Sequence, residues 1–269
     1  MSRIRFIKAE IDNYQYIADF VAMNTRRATP DEPANVLDYG CGSGQAVEMI
    51  SALGPHIRAF GCDLFQEKPE YMDSVNKGLL TEGRILRMED ESIPFPDEMF
   101  DIVISNQVME HVGDLDLSLS EISRVLRPDG LFLSMFPDKS VWREGHCGVP
   151  FVHWIKKGSR FKPLYLFIFR CIGLGFHKNN KTRMQWSMDF TRYLDQWTHY
   201  RSYKEIMSIF QKYLEGPVHI EKDYLEKRLG GSRFLPLIPG PLRPWIVRKF
   251  GGMVVVFKKN SSALEPASL

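Results

Sequence analysis

The sequence predicts an α/β protein built on a doubly wound, mainly parallel sheet. Three observations lead there. Short apolar runs of strand length alternate with helical patterns between residues 34 and 136. A glycine-rich turn, Gly40-Cys41-Gly42-Ser43-Gly44, joins the first run to the helix that follows it. The second run closes on an acidic residue, Asp63, 25 positions after Asp38. Strands and helices alternating at this spacing form right-handed crossovers and a parallel sheet covered on both faces.

Each element has its own signal. Residues 7–23 place apolar side chains at Ile7, Ile11, Tyr14, Ile17, Ala18 and Val21, the spacing of an amphipathic helix. Pro30 and Pro33 break the chain before the first strand, Asn35–Asp38. The glycine turn then exposes backbone N–H groups beside a helix running from Gln45 to Leu53, where a ligand can approach the main chain without meeting a Cβ. Ile57–Cys62 is the second strand, and its terminal Asp63 stands where such folds grip the ribose hydroxyls of a nucleoside. Arg84–Met88 reads as the third strand and Phe100–Ser105 as a central, fully buried fourth. A helix through Glu121–Leu126 stops at Pro128-Asp129-Gly130, and Leu131–Phe136 is the fifth strand.

Composition narrows the classes. The chain has 269 residues, 44% hydrophobic and 25% charged, which excludes disorder as its main state. Thirty-five basic against 33 acidic residues leave a net charge of +2, too weak to imply nucleic acid. Cysteines 41, 62, 147 and 171 are too scattered for a disulfide framework, so a reducing compartment is expected. No signal peptide is visible, and the longest apolar run, Leu164–Phe169, is far too short for a membrane span. The expectation is a cytoplasmic protein, with peripheral membrane contact left open.

Four blocks resemble the class I S-adenosylmethionine (SAM) methyltransferases, in particular the group near the ubiquinone-biosynthesis type. They are Val36-Leu37-Asp38-Tyr39-Gly40-Cys41-Gly42-Ser43-Gly44; Gly61-Cys62-Asp63; Ile93-Pro94-Phe95-Pro96-Asp97 with Phe100-Asp101; and Glu110-His111-Val112 with Arg124 to Gly130. The resemblance implies a Rossmann-like seven-stranded sheet whose last strand is an antiparallel edge, and SAM as cofactor. It implies Asp38 near the methionine amino group, with Tyr39, Gly40 and Gly42 under the methionine and ribose portions. Asp63 would take the ribose hydroxyls and Leu64 would lie on the adenine. Glu89 or Asp90 would meet the adenine amino group. Asn106 and Gln107, with His111, would close the pocket beneath the sulfonium. A dinucleotide cofactor is the competitor for the glycine turn, because Ala46 at its sixth position does not exclude it. The Pro-Phe and Glu-His-Val blocks favour SAM.

Beyond residue 136 the signals are looser. Residues 203–214 read as a helix stopped by Gly216-Pro217, with strands at Val218–Tyr224 and Gly252–Phe257. The expected organisation is an N-terminal helical segment (1–33), a SAM-binding core (34–136), an inserted substrate cover (137–202), the C-terminal part of the same sheet (203–259) and a disordered tail (260–269). Residues 225–251, with prolines at 236, 239, 241 and 244, read as an irregular lid or a docking segment.

The cover is chemically biased. Between Lys139 and Arg183 stand ten basic residues and one acid, Glu144, with aromatic residues interleaved. Such a run is either a solvated face or a cover that attracts an anionic acceptor. Nucleic acid is disfavoured. After the fourth strand the sequence reads Ser105-Asn106-Gln107-Val108, without the Pro-Pro-aromatic signature of nucleic-acid amino methylation, and no Pro-Cys nucleophile is present. His146, His153 and His111 are candidates for the base that takes a proton from an acceptor hydroxyl. No metal is expected, since no CxxC or carboxylate-rich loop completes a ligand set around His146, Cys147 and His153. Tyr14 and Tyr16 are candidates to complete the pocket from the first helix. The functional expectation is methyl transfer from SAM to a hydroxyl of an anionic small-molecule or glycan- or lipid-linked acceptor. The alternatives are carbon methylation of a quinone-like or lipid acceptor, and a non-catalytic SAM-binding partner subunit. The oligomeric state stays open.

Overall fold

A computed structural model describes residues 12–66, 70–75, 77–230, 232 and 235–259. The chain runs α1 (Asn13–Asn24), β1 (Ala34–Tyr39), α2 (Gln45–Ser51), β2 (Ile57–Asp63), short helices α3 (Glu70–Ser74) and α4 (Lys77–Thr81), β3 (Ile85–Arg87), β4 (Phe100–Asn106), α5 (Leu115–Val125) and β5 (Leu126–Phe136). Two helices, α6 (Phe161–Cys171) and α7 (Arg183–Trp197), form the cover. Then follow α8 (Tyr203–Tyr213), β6 (Leu214–His219), α9 (Glu221–Arg228), α10 (Leu242–Phe250) and β7 (Met253–Lys259). The seven strands lie in the order β3-β2-β1-β4-β5-β7-β6. All neighbours pair parallel except β7, which runs antiparallel to both β5 and β6.

Alternation along the strands sorts the core into two layers. Leu37, Val103 and Phe132 face α5 and α8, whereas Val36, Ile102, Ile104 and Leu133 face α1, α2, α9 and α10. Burial on both faces is why the strands read as continuous apolar runs. The Pro-Phe and Arg-Pro blocks are structural braces. The Arg124 guanidinium donates to the Ile93 and Phe95 carbonyls at 2.9 and 3.0 Å and pairs with Glu121 and Asp97, pinning the loop before β4 to α5.

Several expected boundaries move. The final strand is not the edge: β7 inserts between β5 and β6, leaving β6 outermost. Residues 221–224, expected as the end of a strand, open helix α9, which continues to Arg228, and the strand before it starts earlier, at Leu214. The Glu221–Arg228 run is acidic in its first turn and basic in its last, which suits the helix dipole and no strand pairing. Gly216-Pro217 does not stop α8; it lies inside β6, where the register with β7 shifts between Glu215 and Val218. The proline-rich stretch contains the regular helix α10, with Pro244 in its first turn, where its missing N–H has no intrahelical partner to lose. The expected first helix is observed over Asn13–Asn24; residues 1–11 and the 260–269 tail lie outside the described residues.

The cover has its own small core of Cys147, Val149, Val152, Leu166, Trp186 and Leu194. Thr182 and Gln185 form a reciprocal capping box that starts α7, and Ser202 and Glu205 do the same for α8. These two caps fix where α7 and α8 begin, and the segment between the two helices, 198–202, carries His199, Tyr200 and Arg201 to the mouth of the sheet.

Candidate active site

The βα turns at the C-terminal ends of β1, β2 and β4 and the end of α7 surround a cavity of about 510 Å³. This is the side of the switch point between β1 and β4, where doubly wound sheets bind ligands. A wider cleft of about 950 Å³, lined by Thr25, Arg58, Asp101 and Arg127, opens at the opposite ends of the strands.

The glycine turn is shaped by close approach. Gly40 has φ +77°, and a Cβ there would lie 2.4 Å from the Val108 side chain. Gly42 has φ +51° and would place a Cβ 3.2 Å from the Tyr71 ring. Asp63 ties this turn to β2, its carboxylate accepting from the Gly42 N–H at 2.9 Å and the Phe65 N–H at 2.7 Å. Asp38 is 4% exposed and accepts no hydrogen bond among the described residues. Burial, and then the neighbouring Asp63 charge, push its carboxyl up to about 7. A buried carboxylate in this state favours a cation beside it.

Asn106 and Gln107 close the floor. Asn106 accepts from Asn13 Nδ2 at 3.1 Å, and Asn13 in turn accepts from the Tyr224 hydroxyl at 2.6 Å and from Arg228 at 2.7 Å. Helices α1 and α9 are thereby stitched to the end of β4. Gln107, at φ +59°, donates its backbone and side-chain N–H groups to the Met135 carbonyl.

A chain of hydrogen bonds reaches the cavity from the cover. His111 Nδ1 lies 2.7 Å from the Trp197 carbonyl, and His146 Nδ1 lies 2.6 Å from Glu144 Oε1. Both partners only accept, so both Nδ1 atoms are donors. The two Nε2 atoms face each other at 3.1 Å. With both Nδ1 positions protonated, that contact is a hydrogen bond only when the pair holds one additional proton. Glu144 supplies the counter-charge. Burial alone would raise its carboxyl, but the His146 contact, the Cys147 N–H at 2.6 Å and the Tyr200 hydroxyl at 2.7 Å hold it down to about 2. Glu110, wholly buried behind the pair with Oε1 3.9 Å from His111 Nε2, is raised by burial.

Most of the sequence-predicted residues converge. Asp38, Tyr39, Gly40, Gly42, Asp63, Leu64, Asn106, Gln107, His111 and His146 all line the cavity, as does Tyr14. Tyr16 does not; it is buried in the core with its hydroxyl donating to Asp223 at 2.9 Å. Two further expectations are corrected. Glu89 and Asp90 are exposed and outside the cavity. Glu89 bridges to Ser92 and Asp90 turns at φ +51°, which swings Glu91 back onto the wall, where its Oε2 accepts from Tyr39 at 3.1 Å and Ser118 at 2.8 Å. His153 is also outside. The turn through Gly148 and the short 3₁₀ segment Val152–Trp154 carry it to the far side of Tyr200, ring centroids 4.7 Å apart, into a separate pocket. Residues the sequence did not single out are Glu91, Ser118, Glu144, Tyr193, Gln196, Trp197, His199 and Tyr200. Glu144 alone had a signal, as the single acid in the basic run.

A family model described as a methyltransferase domain matches residues 37–134. The chain is 27% identical over 153 residues to a ubiquinone biosynthesis O-methyltransferase of Mesorhizobium japonicum, covering 54% of this chain and 60% of that protein. It is 33% identical over 98 residues to a sterol 24-C-methyltransferase of Gibberella zeae, 36% of this chain and 26% of that protein. A solved geranyl diphosphate C-methyltransferase from Streptomyces coelicolor superposes with a TM-score of 0.48 at 16% identity, covering 91% of this chain and 80% of that one. The match spans about three-fifths of the curated ubiquinone-type relatives. Residues 37–134 match the methyltransferase domain of the class I SAM-dependent type. The cofactor that this family implies is SAM, and the wall fits it: an unpartnered buried carboxylate at Asp38 for an ammonium, a cradle at Gly40 and Gly42 that a Cβ would fill, and a half-buried carboxylate at Asp63. Among the described residues no helix is long and apolar enough to cross a membrane.

Proposed function

We propose that the chain transfers the SAM methyl group to a hydroxyl oxygen of an anionic small-molecule, glycan-linked or lipid-linked acceptor. The observation that carries this reading is the His111–His146 pair on the cavity wall, both of whose Nδ1 atoms are committed as donors while the Nε2 atoms face one another. SAM supplies a methyl carbon already activated by its sulfonium. The protein has to hold the two partners in line and accept the hydroxyl proton.

The roles divide by position. Asp38 receives the amino group of the methionine portion, and Asp63 receives ribose hydroxyls by exchanging part of its bonding to the Gly42 and Phe65 N–H groups. Leu64 and Glu91 stand on the adenine side. A hydroxyl brought to the deprotonated histidine pair delivers its proton to an Nε2 atom as the oxygen attacks. The resulting imidazolium is balanced by ionised Glu144, which His146 already touches. Tyr200 and the Cys147 N–H hold that carboxylate in place.

The test is a methyl-transfer assay with ¹³C-methyl SAM against hydroxylated anionic acceptors, for the wild type and His146→Ala. The expected product is a methoxy carbon, with turnover in the variant lower by about 10²-fold or more and SAM affinity unchanged. Equal turnover would remove the pair from the chemistry. A ¹³C methyl bound to carbon would replace oxygen transfer with the carbon-methylating alternative.

A further inference from the structure

Beside the cofactor cavity lies a second pocket of about 310 Å³ whose charge is unbalanced. Its wall carries Lys139, Lys156, Lys157, Lys162 and Arg201 together with His153 and His199 and, among the described residues, no aspartate or glutamate. The carboxylate closest to hand is already used: Asp195 pairs with buried Lys162 through Oδ1 and accepts the Gly158 N–H at 2.8 Å through Oδ2. Arg201 spends its N–H groups on carbonyls only, those of His199, Val112 and Gly113 at 3.2, 2.9 and 2.7 Å. The buried His153 ring lies against the Lys139 and Val141 backbone, and neither of its nitrogens makes a well-aligned hydrogen bond among the described residues. Burial, opposed by the Asp195 charge, and then repulsion from Lys162 and Arg201 lower the affinity of Lys157 for its proton; burial, Lys157 and Arg201 do the same to His199.

A lining of five cations and two imidazoles with no carboxylate of its own holds them against their repulsion, which Asp195, Glu205 and Asp114 offset only from outside it, and an anion in the pocket relieves it. The pocket is continuous with the chemistry. His199 lines both cavities, and the backbone carbonyls that Arg201 holds belong to Val112 and Gly113 on the cofactor wall. The cations come from three separate segments, after β5, around the start of α6 and before α8, so donors surround the pocket instead of lying in one plane. That arrangement suits a tetrahedral oxyanion of more than one charge better than a planar carboxylate.

We infer that this pocket is the acceptor's anion subsite and takes a phosphate or diphosphate group, with Lys157 and Arg201 as its principal cationic contacts. The inference rests on the methyl-transfer reading for the word acceptor, and on the pocket alone for the anion. The same chemistry is presented by a soluble phosphorylated molecule and by a phosphate-bearing lipid.

The experiment is calorimetric titration of the full chain with inorganic pyrophosphate, and co-sedimentation with phosphatidic acid vesicles, for the wild type and for Lys157→Ala and Lys139→Ala. Both lysines are exposed, so the variants fold, and SAM is titrated into the same samples. The subsite predicts pyrophosphate binding that Lys157→Ala weakens about ten-fold or more, the loss of one charge-assisted contact, with SAM affinity unchanged. Vesicle binding with the same dependence on Lys157, and no response to pyrophosphate, assigns the phosphate to a lipid-linked acceptor. Binding of neither probe, or binding indifferent to both lysines, overturns the subsite while SAM binding leaves the transferase reading standing. Lysine-dependent pyrophosphate binding without SAM binding keeps the subsite and removes the transferase reading.

Discussion

Asp38 joins stability and function in one side chain. Its folded carboxyl titrates near 7 against an ordinary value of 3.8, so the native state holds the proton more tightly than the unfolded chain. The stability this contributes is present in full below the unfolded value and is lost as pH rises through about 7. Asp38→Asn is therefore expected to raise the melting temperature of the ligand-free protein at pH 8, by a few degrees for each kcal/mol of relieved burial, while SAM binding is lost. The wild type should bind SAM more weakly as pH falls below about 7, where the carboxyl becomes neutral. Thermal melts and calorimetry at pH 6 and pH 8 check both. A variant that melts lower than wild type at pH 8, or binds SAM equally well, contradicts the assignment. The histidines teach a complementary lesson. His146 and His153 are seven residues apart and chemically identical in the sequence, yet one meets His111 and the other faces the cationic pocket. Nothing in local spacing distinguishes them, because the separation is made by a left-handed turn at Gly148 and by contacts with Tyr193 and Tyr200 from a distant segment.

At the scale of elements, the β1–α2 turn and the cover make opposite demands. The turn is specified locally: positive φ at Gly40, Gly42 and Gly44 and a strand–turn–helix order that is legible in the residues themselves. Gly40→Ala would set a Cβ against Val108 in a conformation that L side chains rarely adopt. The expected cost is roughly 1–3 kcal/mol of stability with loss of SAM affinity, measured by denaturant unfolding and calorimetry. The cover is specified by long-range packing. Trp186, fully buried, fills its core and donates its indole N–H to the Phe176 carbonyl at 2.8 Å. Trp186→Ala should cost about 3–5 kcal/mol, and the loss falls on the cover rather than the sheet. Limited proteolysis is expected to cut first between residues 137 and 202 while the strand core persists; uniform degradation would mean that the cover is not a separate cooperative unit. The same contrast explains which elements were legible. β1, β2, β4 and β5 announce themselves by apolar runs and flanking turns, whereas α9 and α10 were masked by prolines and by a preceding run of strand-like residues, and tertiary docking against α1 and β7 settles them.

For the molecule as a whole, the parallel half of the sheet and most of the cavity wall were readable because each of their elements carries its signal within about ten residues. The place of β7 between β5 and β6 was not, since it depends on pairing strands separated by more than a hundred positions. The basic bias of the cover was visible as composition, but the pocket required the fold, which collects Lys139, Lys157 and Arg201 from distant segments around it. The glycine turn and the His111–His146 pair share one cavity, with a cationic pocket adjoining it at His199. That the cavity is a SAM site is the central claim, and calorimetric titration with SAM and with its demethylated product tests this most directly, with NADH as control and Asp63→Ala beside the wild type. The account predicts micromolar binding of both SAM and its product, no binding of NADH, and about ten-fold weaker SAM binding in the variant, as expected for a charge-assisted hydrogen bond to ribose. Absence of SAM binding to the wild type, or equal affinity in Asp63→Ala, would contradict it.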